Sequence, residues 1–181
     1  MPDPKIKSEF EKELTKVDNL AKKRLAVSSR DENAMFATVL ANGMRADYAA
    51  MIEKRNFAAL SYVKNSRATA EELLKIHPNC YDAYLAIGVE NYLLSLKSAP
   101  VRFILRIGGA QTDRDEGLQK LALTAEKGYY LAPYARLLLA VAAMRDNNHA
   151  KASELLTDLL HEFPDNDLIK KELGRVEIQN R

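Results

Sequence analysis

The chain has 181 residues, of which 47% are apolar and 29% are charged, a composition typical of one soluble globular domain. Its 27 basic and 25 acidic residues leave a net charge of +2, and this near-balance argues against a dedicated nucleic-acid surface. No apolar run reaches the roughly 18 residues of a membrane-spanning helix, so we expect no integral membrane segment. The single cysteine, Cys80, excludes an internal disulfide.

The cellular location depends on whether Met1 is the native start. Residues Met1 to Lys7 are polar and charged, and they lack the apolar core of a signal peptide. We therefore expect a cytoplasmic protein if Met1 is native. If a signal peptide once preceded this sequence, the alternative is a periplasmic protein.

The spacing of apolar residues predicts an all-α chain of about eight helices with one inserted short helix. The helices predicted before the insertion cover about residues 3–25, 31–52, 57–76 and 81–96. Asp3 with Pro4, and then Asp31, are expected to begin the first two helices, since these residue types favour helix starts. A glycine inside a helix costs about 1 kcal/mol relative to alanine. We therefore expect a neighbouring helix to approach Gly88 closely.

Residues 98–111 are predicted to be an insertion that contains a short apolar helix from Pro100 to Ile107. Two interpretations are open. In the first, the helix packs against an apolar surface of its own domain, because it has too many apolar residues for a solvated linker. In the second, it docks on a membrane surface or in a partner's groove, with Arg102, Phe103 and Arg106 as the candidate docking residues. We expect the first.

The helices predicted after the insertion cover about residues 113–127, 132–144, 150–163 and 166–179. Asp113, with Glu116 three residues later, resembles a capping box at a helix start. Gly128 is expected to follow the end of that helix. The final helix, about 166–179, is expected to cap the domain with a polar outer face, so residues 1–181 are interpreted as a single domain.

One sequence motif occurs on both sides of the insertion. The first copy is Tyr84-x-x-Ile87-Gly88, and the second is Arg136-x-x-Leu139-Ala140, followed by Ala152-x-x-x-Leu156 and Pro164. A helix-turn-helix repeat of about 34 residues places a large residue, leucine and glycine on its first helix, then alanine and a large residue on its second. Such units bury their apolar faces by stacking, and the stack usually holds other proteins.

These residues resemble the tetratricopeptide-repeat family. The closer resemblance is to a divergent bacterial subgroup related to the eukaryotic outer-mitochondrial inclusion-body-clearance repeat proteins, and it covers roughly Pro78 to Pro164. It is carried by the string from Ala83 to Leu94, the apolar Pro100 to Ile107 segment, Gly108-Gly109 and Asp113-Arg114-x-Glu116-Gly117-Leu118. The resemblance implies a helical-repeat scaffold with no known chemistry of its own.

Four residues are candidates for binding a protein or peptide partner. Asn91 and Arg136 depart from the repeat pattern. The pattern prefers tyrosine where Asn91 stands and a large apolar residue where Arg136 stands. Tyr129 and Tyr130 offer apolar area with a polar tip, which is typical of interfaces. In the competing interpretation, Arg136 pairs internally with Asp115 or Glu116, and the tyrosines belong to the core. The oligomeric state is left open.

No arrangement of residues predicts catalysis, a metal site or a cofactor site. His77 and Cys80 lie three residues apart without a second ligand pair, and Cys80 lacks a positioned base. The acidic cluster at 113–116 suits a helix start, and Gly108-Gly109 lacks the lysine of a phosphate-binding loop. We therefore expect a non-catalytic scaffold without cofactors. The alternative is a membrane-surface or assembly-factor protein that uses the 100–107 helix for docking.

Overall fold

The computed structural model describes residues 3–179. Met1, on which the expected location depends, and Arg181, where the predicted domain ends, lie outside the described residues. Nine α-helices and no strand occur in the described part of the chain, so the predicted all-α fold of eight helices and one short inserted helix is confirmed. They are α1 (Pro4–Val27), α2 (Glu32–Asp47), α3 (Asn56–Ile76), α4 (Tyr84–Ser95), α5 (Ala99–Ile107), α6 (Arg114–Lys127), α7 (Ala132–Arg145), α8 (His149–Glu162) and α9 (Asp167–Gln179).

The helix starts follow the predicted capping residues. The carboxylate of Asp3 accepts a hydrogen bond from the N–H of Lys5 at 2.8 Å, and that of Asp31 accepts one from Ala34 at 2.9 Å. At the start of α6, Asp113 accepts from two N–H groups, those of residues 115 and 116, at 3.0 Å each. These bonds satisfy donors that the first turn of a helix leaves unpaired.

Two helix ends differ from the sequence prediction. The α-helical part of α2 ends at Asp47, about five residues before the predicted end. A π-helical turn, Tyr48–Ile52, follows it, and the N–H of Glu53 donates to the carbonyl of Tyr48, five residues earlier. Gly128 does end α6, but its φ of −66° is not the left-handed conformation of a typical glycine stop. A Cβ there would lie 2.8 Å from Oδ1 of Asp82, so the glycine makes room for a carboxylate.

The helices pack chiefly as three pairs, α2 with α3, α4 with α6, and α7 with α8; α1 contacts α2, and α9 contacts α8. α4 and α6 run antiparallel. Gly88 on α4 faces Leu121 on α6, whereas Tyr92, one turn later, faces Gly117, one turn earlier. A Cβ on Gly88 would lie 2.9 Å from Cγ of Leu121, which confirms the close approach predicted there.

Three buried apolar clusters join each pair to the helix that follows it. The first combines residues of α2 and α3 with Ala83 and Ile87, and the second combines residues of α4 and α6 with α7. The third combines α7 and α8 with Ile169 and Val176 of α9. The core is therefore a series of layers along the chain, and it leaves the outer faces of the pairs free to carry surface features.

Candidate functional site

An apolar groove crosses the first helices of the three pairs. It encloses about 700 Å³, part of which is open to solvent. Its walls come from α2, α3, α4 and the start of α7, and this surface is named the apolar groove. The lining residues are Val39, Leu40, Gly43, Ala46, Asp47, Ala50, Ala59, Val63, Ser66, Asp82, Leu85, Ala86, Val89, Leu93, Leu131 and Tyr134.

Small residues on α2 and the neighbouring helices keep the groove open. A Cβ on Gly43 would meet no atom within 4 Å, so this face of α2 borders empty space. Two large side chains on the walls, Leu40 and Leu93, stay in contact with solvent, at 36% and 44% exposure. A ligand that covers this apolar surface removes it from water, which is a favourable contribution to binding.

Asp47 and Tyr134 form a polar pair on the groove. The Tyr134 hydroxyl lies 3.5 Å from Oδ2 of Asp47 and donates to it. Desolvation raises the pKa of the Asp47 carboxyl above its ordinary value, and the hydrogen bond from Tyr134 partly opposes that rise. Burial, reinforced by the negative charge of Asp47, raises the pKa of Tyr134 to about 12. Asp47 remains exposed to solvent and no basic side chain contributes to its pKa, so a cationic group on a ligand would offset the desolvation and pair with its carboxylate, while Tyr134 stays neutral.

Asp82, the second carboxylate on the groove wall, is already occupied. It is buried and accepts hydrogen bonds from the N–H groups of Tyr129, Tyr130 and Leu131 at 3.0, 3.1 and 2.7 Å. It thereby caps the start of α7 from a different helix pair and fixes the 129–131 segment. Sequence reasoning missed this residue. The available signal was an acidic side chain beside a mostly apolar run, since a buried carboxylate requires partners.

A second apolar groove begins where the first ends. It also encloses about 700 Å³, part of it solvent, and lies among α7, α8 and α9. Tyr134 lines both grooves, so the two adjoin at this residue. The other lining residues are Pro133, Leu137, Leu156, Leu159, Phe163, Asn166, Leu168, Ile169 and Glu172.

Two of the four predicted partner-binding residues lie on the surface. Tyr129 and Tyr130 are 83% and 70% exposed, and their rings meet edge to face with centroids 4.7 Å apart. The ring of Tyr130 also stacks on Phe36 of α2, with centroids 6.2 Å apart. The pair is an accessible aromatic surface beside the segment that Asp82 fixes.

The other two candidates make internal contacts. Asn91 has no exposed surface, and its Nδ2 donates to Oε2 of Glu116 at 3.0 Å across the α4–α6 contact. Because α6 covers it, a partner has no access to Asn91 in this structure. Arg136 forms an ion pair with Glu162, which ties the start of α7 to the end of α8. The internal pairing that was considered for Arg136 thus occurs, but with a residue other than Asp115 or Glu116.

The inserted helix α5 does not pack against its own domain, contrary to our expectation. None of its residues is buried, and Phe103, Ile104 and Ile107 are 66%, 68% and 73% exposed. The sequence reasoning assumed that the apolar residues would find a surface nearby. The less exposed side of α5 carries Arg102 and Leu105, so Phe103, Ile104 and Ile107 face outwards.

Polar contacts attach α5 to the domain at both ends. At its start, Nη1 of Arg102 donates to the carbonyls of Ser95 and Lys97 at 3.1 and 3.0 Å. At its end, Nε of Arg106 donates to Oγ1 of Thr112 at 2.6 Å, and the Lys64 ammonium donates to the carbonyl of Gly108. Ala110 and Thr112, which follow the helix, are buried. The predicted docking residues Arg102 and Arg106 therefore position α5, whereas Phe103 projects from it.

The Cys80 thiol is held in its protonated form, and the His77 ring lies between a backbone carbonyl and Glu32, whose Oε2 is 3.4 Å from Nδ1. Burial, with a smaller contribution from the charge of Glu32, raises the pKa of the Cys80 thiol to about 11, so the thiol is protonated at neutral pH. The His77 ring contacts the α1–α2 turn, with Nε2 2.9 Å from the carbonyl oxygen of Arg30. Across residues 3–179, no group of three or more His, Cys, Asp or Glu side chains is arranged to hold a metal ion. None of the helices described is long and apolar enough to cross a membrane.

Comparison with known proteins adds no relative. No protein-family model matches this chain, and neither a curated protein nor a solved structure matches it. The resemblance to tetratricopeptide-repeat proteins therefore rests on the sequence motifs alone.

Proposed function

We propose that this protein is a non-catalytic scaffold that binds an apolar peptide segment of a partner protein in the apolar groove. The observation that carries the proposal is the composition of the groove, which is almost entirely apolar and draws on the first helices of the three pairs, α2, α4 and the start of α7, together with α3. Helical-repeat stacks typically bind partners on the surface that their first helices share.

We also propose a tetratricopeptide-like arrangement of the helix pairs. In this proposal α2–α3, α4–α6 and α7–α8 are the repeats, and α9 is the terminal capping helix. The close contact at Gly88 and the series of apolar clusters that link each pair to the next support it. The divergent bacterial subgroup named above is the proposed relative.

The groove favours a ligand with large apolar side chains and one basic residue. Burying one large apolar side chain contributes about 1.5–3 kcal/mol. The surface of the groove includes few polar atoms that a ligand must satisfy, because Asp82 is paired with three N–H groups and Ser66 donates to the carbonyl of Val39 at 2.9 Å. Asp47 remains able to pair with a lysine or arginine of the ligand, which would fix the orientation of the peptide.

Gly43→Leu tests the proposal without removing any existing contact. The new side chain would enter open space on the groove wall, and leucine also favours the helical conformation over glycine. Gly174→Leu is the matched control. A Cβ on Gly174 would likewise meet no atom within 4 Å, but this glycine lies in α9 and lines neither groove.

The experiment is selection of peptides from a random library on the wild-type protein, followed by measurement of their affinity for both variants. We expect apolar peptides with a basic residue, and a loss of affinity on the order of tenfold or more in Gly43→Leu only. Thermal melting of both variants checks that the fold is intact. Equal binding to wild type and Gly43→Leu, with a stable fold, would show that the apolar groove is not the binding site.

A further inference from the structure

We propose that α5 is a docking helix for membrane surfaces that contain anionic lipids. This inference does not depend on the scaffold function, since α5 contributes no residue to the lining of either groove. It rests on three properties of the insertion: its uncovered apolar face, the charge of the segment around it, and its attachment to the domain.

The apolar face of α5 is continuous and unpartnered. Phe103 and Ile107 are four residues apart, and Ile104 and Ile107 are three apart, so helical geometry places them side by side. Phe103, Ile104 and Ile107 are 66%, 68% and 73% exposed. A helix with one such face, lying in the plane of a membrane, inserts its apolar side chains among the lipids and keeps its polar side in the headgroup region.

The charge around α5 selects an anionic surface. Residues 91–112 contain three basic residues, Lys97, Arg102 and Arg106, and no acidic residue, so this segment has a charge of +3 in a chain whose total is +2. Two charged residues from outside the segment contact it: Lys64 of α3 donates to the carbonyl of Gly108, and Glu90 of α4 accepts from the N–H of Gln111 at 3.4 Å. Basic residues beside an apolar helix face attract anionic lipids, and this charge complementarity favours a membrane as the occupant.

The attachment of α5 holds this face outwards. Hydrogen bonds fix both ends, and the residues that follow the helix return to the buried interior at Ala110 and Thr112. The exposed face is therefore part of a helix whose two ends are held by hydrogen bonds. Nine residues offer a small apolar area, so we infer binding that is reversible and requires both the apolar and the electrostatic contribution.

A single tryptophan can report insertion directly, because the chain contains none. Phe103→Trp places an indole on the apolar face of α5, and Phe57→Trp, at a 91% exposed phenylalanine on α3, is the control. With vesicles of phosphatidylcholine and phosphatidylserine, we expect the emission of the first variant to shift to shorter wavelength and to be quenched by brominated lipids. The emission of the control should not change.

Vesicle co-flotation then separates the apolar and electrostatic contributions. We expect the wild-type protein to float with the anionic vesicles, to bind phosphatidylcholine vesicles on the order of tenfold more weakly, and to be released by high salt. Phe103→Ser with Ile107→Ser should lower binding on the order of tenfold or more. Phe57→Ser with Ile178→Ser is the control pair, since Ile178 is 74% exposed and matches Ile107 at 73%.

Three results would overturn the proposal. The first is no flotation of the wild-type protein with anionic vesicles. The second is an equal loss of binding in the control pair, which would show that α5 is not the contact. The third is a change in oligomeric state of the Phe103→Ser, Ile107→Ser variant in light scattering without lipid, which would show that the face joins protein copies. Gly43→Leu should bind vesicles normally, so failure of the scaffold proposal is distinguishable from failure of this one.

Discussion

Replacing Gly117 with alanine should destabilise the protein, because α4 leaves no space for a side chain at this position. A Cβ there would lie 2.6 Å from the backbone nitrogen of Tyr92 and 3.1 Å from the carbonyl oxygen of Gly88. These are backbone atoms, so relief requires α4 and α6 to move apart. Gly88→Ala meets Cγ of the buried Leu121 at 2.9 Å and its backbone nitrogen at 3.0 Å, and because these contacts are less short than the one at Gly117, it should cost less.

The expected magnitude follows from two opposing contributions. Overpacking of this kind destabilises by about 1–3 kcal/mol, whereas alanine in place of glycine favours a helix by about 1 kcal/mol. Since the contacts at Gly117 are with backbone, we expect a net loss of about 1–2 kcal/mol. For a chain of 181 residues, each kcal/mol corresponds to about 2–4 °C in melting temperature.

Gly174→Ala is the control that isolates the steric effect. Gly174 also lies within a helix, but a Cβ there would meet nothing within 4 Å. It should therefore gain up to about 1 kcal/mol from helix propensity alone. Circular dichroism melts and urea titrations of both variants give the comparison. The reasoning is refuted if Gly117→Ala melts at or above the wild-type temperature, or if Gly174→Ala loses as much stability.

The other predictions concern carboxylates and one arginine. Asp82→Ala leaves three backbone N–H groups at the start of α7 without their acceptor, so the free energy of unfolding should fall by about 1–3 kcal/mol or more. Urea titrations measure this change, and an unchanged midpoint would contradict the capping role. The raised pKa of Asp47 means that the folded state favours the protonated form. Its contribution is therefore most favourable below the ordinary carboxyl pKa and is lost as the pH rises through the folded-state pKa, so Asp47→Asn should flatten the dependence of melting temperature on pH in this window. Arg136→Ala breaks a partly exposed ion pair with Glu162 and should cost no more than about 1 kcal/mol while peptide binding is retained; loss of binding with unchanged stability would return Arg136 to the candidate site.

The sequence was most informative where local chemistry determines the structure. Helix starts at Asp3, Asp31 and Asp113 follow from capping, which involves residues only two or three positions apart. The close approach at Gly88 followed from the unfavourable energy of a glycine inside a helix. Gly117 carries the same signal more weakly, because it lies in the first turns of α6, where glycine has more than one explanation.

Contacts between distant residues could not be predicted in this way. Asn91 is buried because α6 brings Glu116 against it, and the register of α4 on α6 depends on the fit at Gly88 and Gly117. Arg136 pairs with Glu162, 26 residues away, and many other carboxylates would have satisfied the same sequence pattern. The apolar groove likewise depends on how three helix pairs stack, although its small residues are visible in the sequence.

The outcome for α5 has a different physical origin. The spacing of the apolar residues in α5 identifies one apolar face, but the sequence does not show which face of the helix meets the domain. The decisive contacts are polar: Arg102 and Arg106 hold the helix by hydrogen bonds to residues that flank it. Arg102, on the less exposed side of the helix, donates to two backbone carbonyls, and the apolar side is left facing solvent, which sequence periodicity alone cannot show.

The position of the insertion explains how one chain can carry both proposed surfaces. Residues 96–113 connect α4 to α6, whose antiparallel contact is fixed independently at Gly88 and Gly117. An element added at this end can acquire a surface of its own without changing the helix faces that form the apolar groove. The two surfaces nevertheless share α4, since Leu93 lines the groove and the carbonyl of Ser95, two residues later, holds α5. Substitutions confined to α2 should therefore affect only peptide binding, and substitutions confined to α5 should affect only membrane binding. A variant of either helix that lost both kinds of binding would mean that α4 couples the two surfaces.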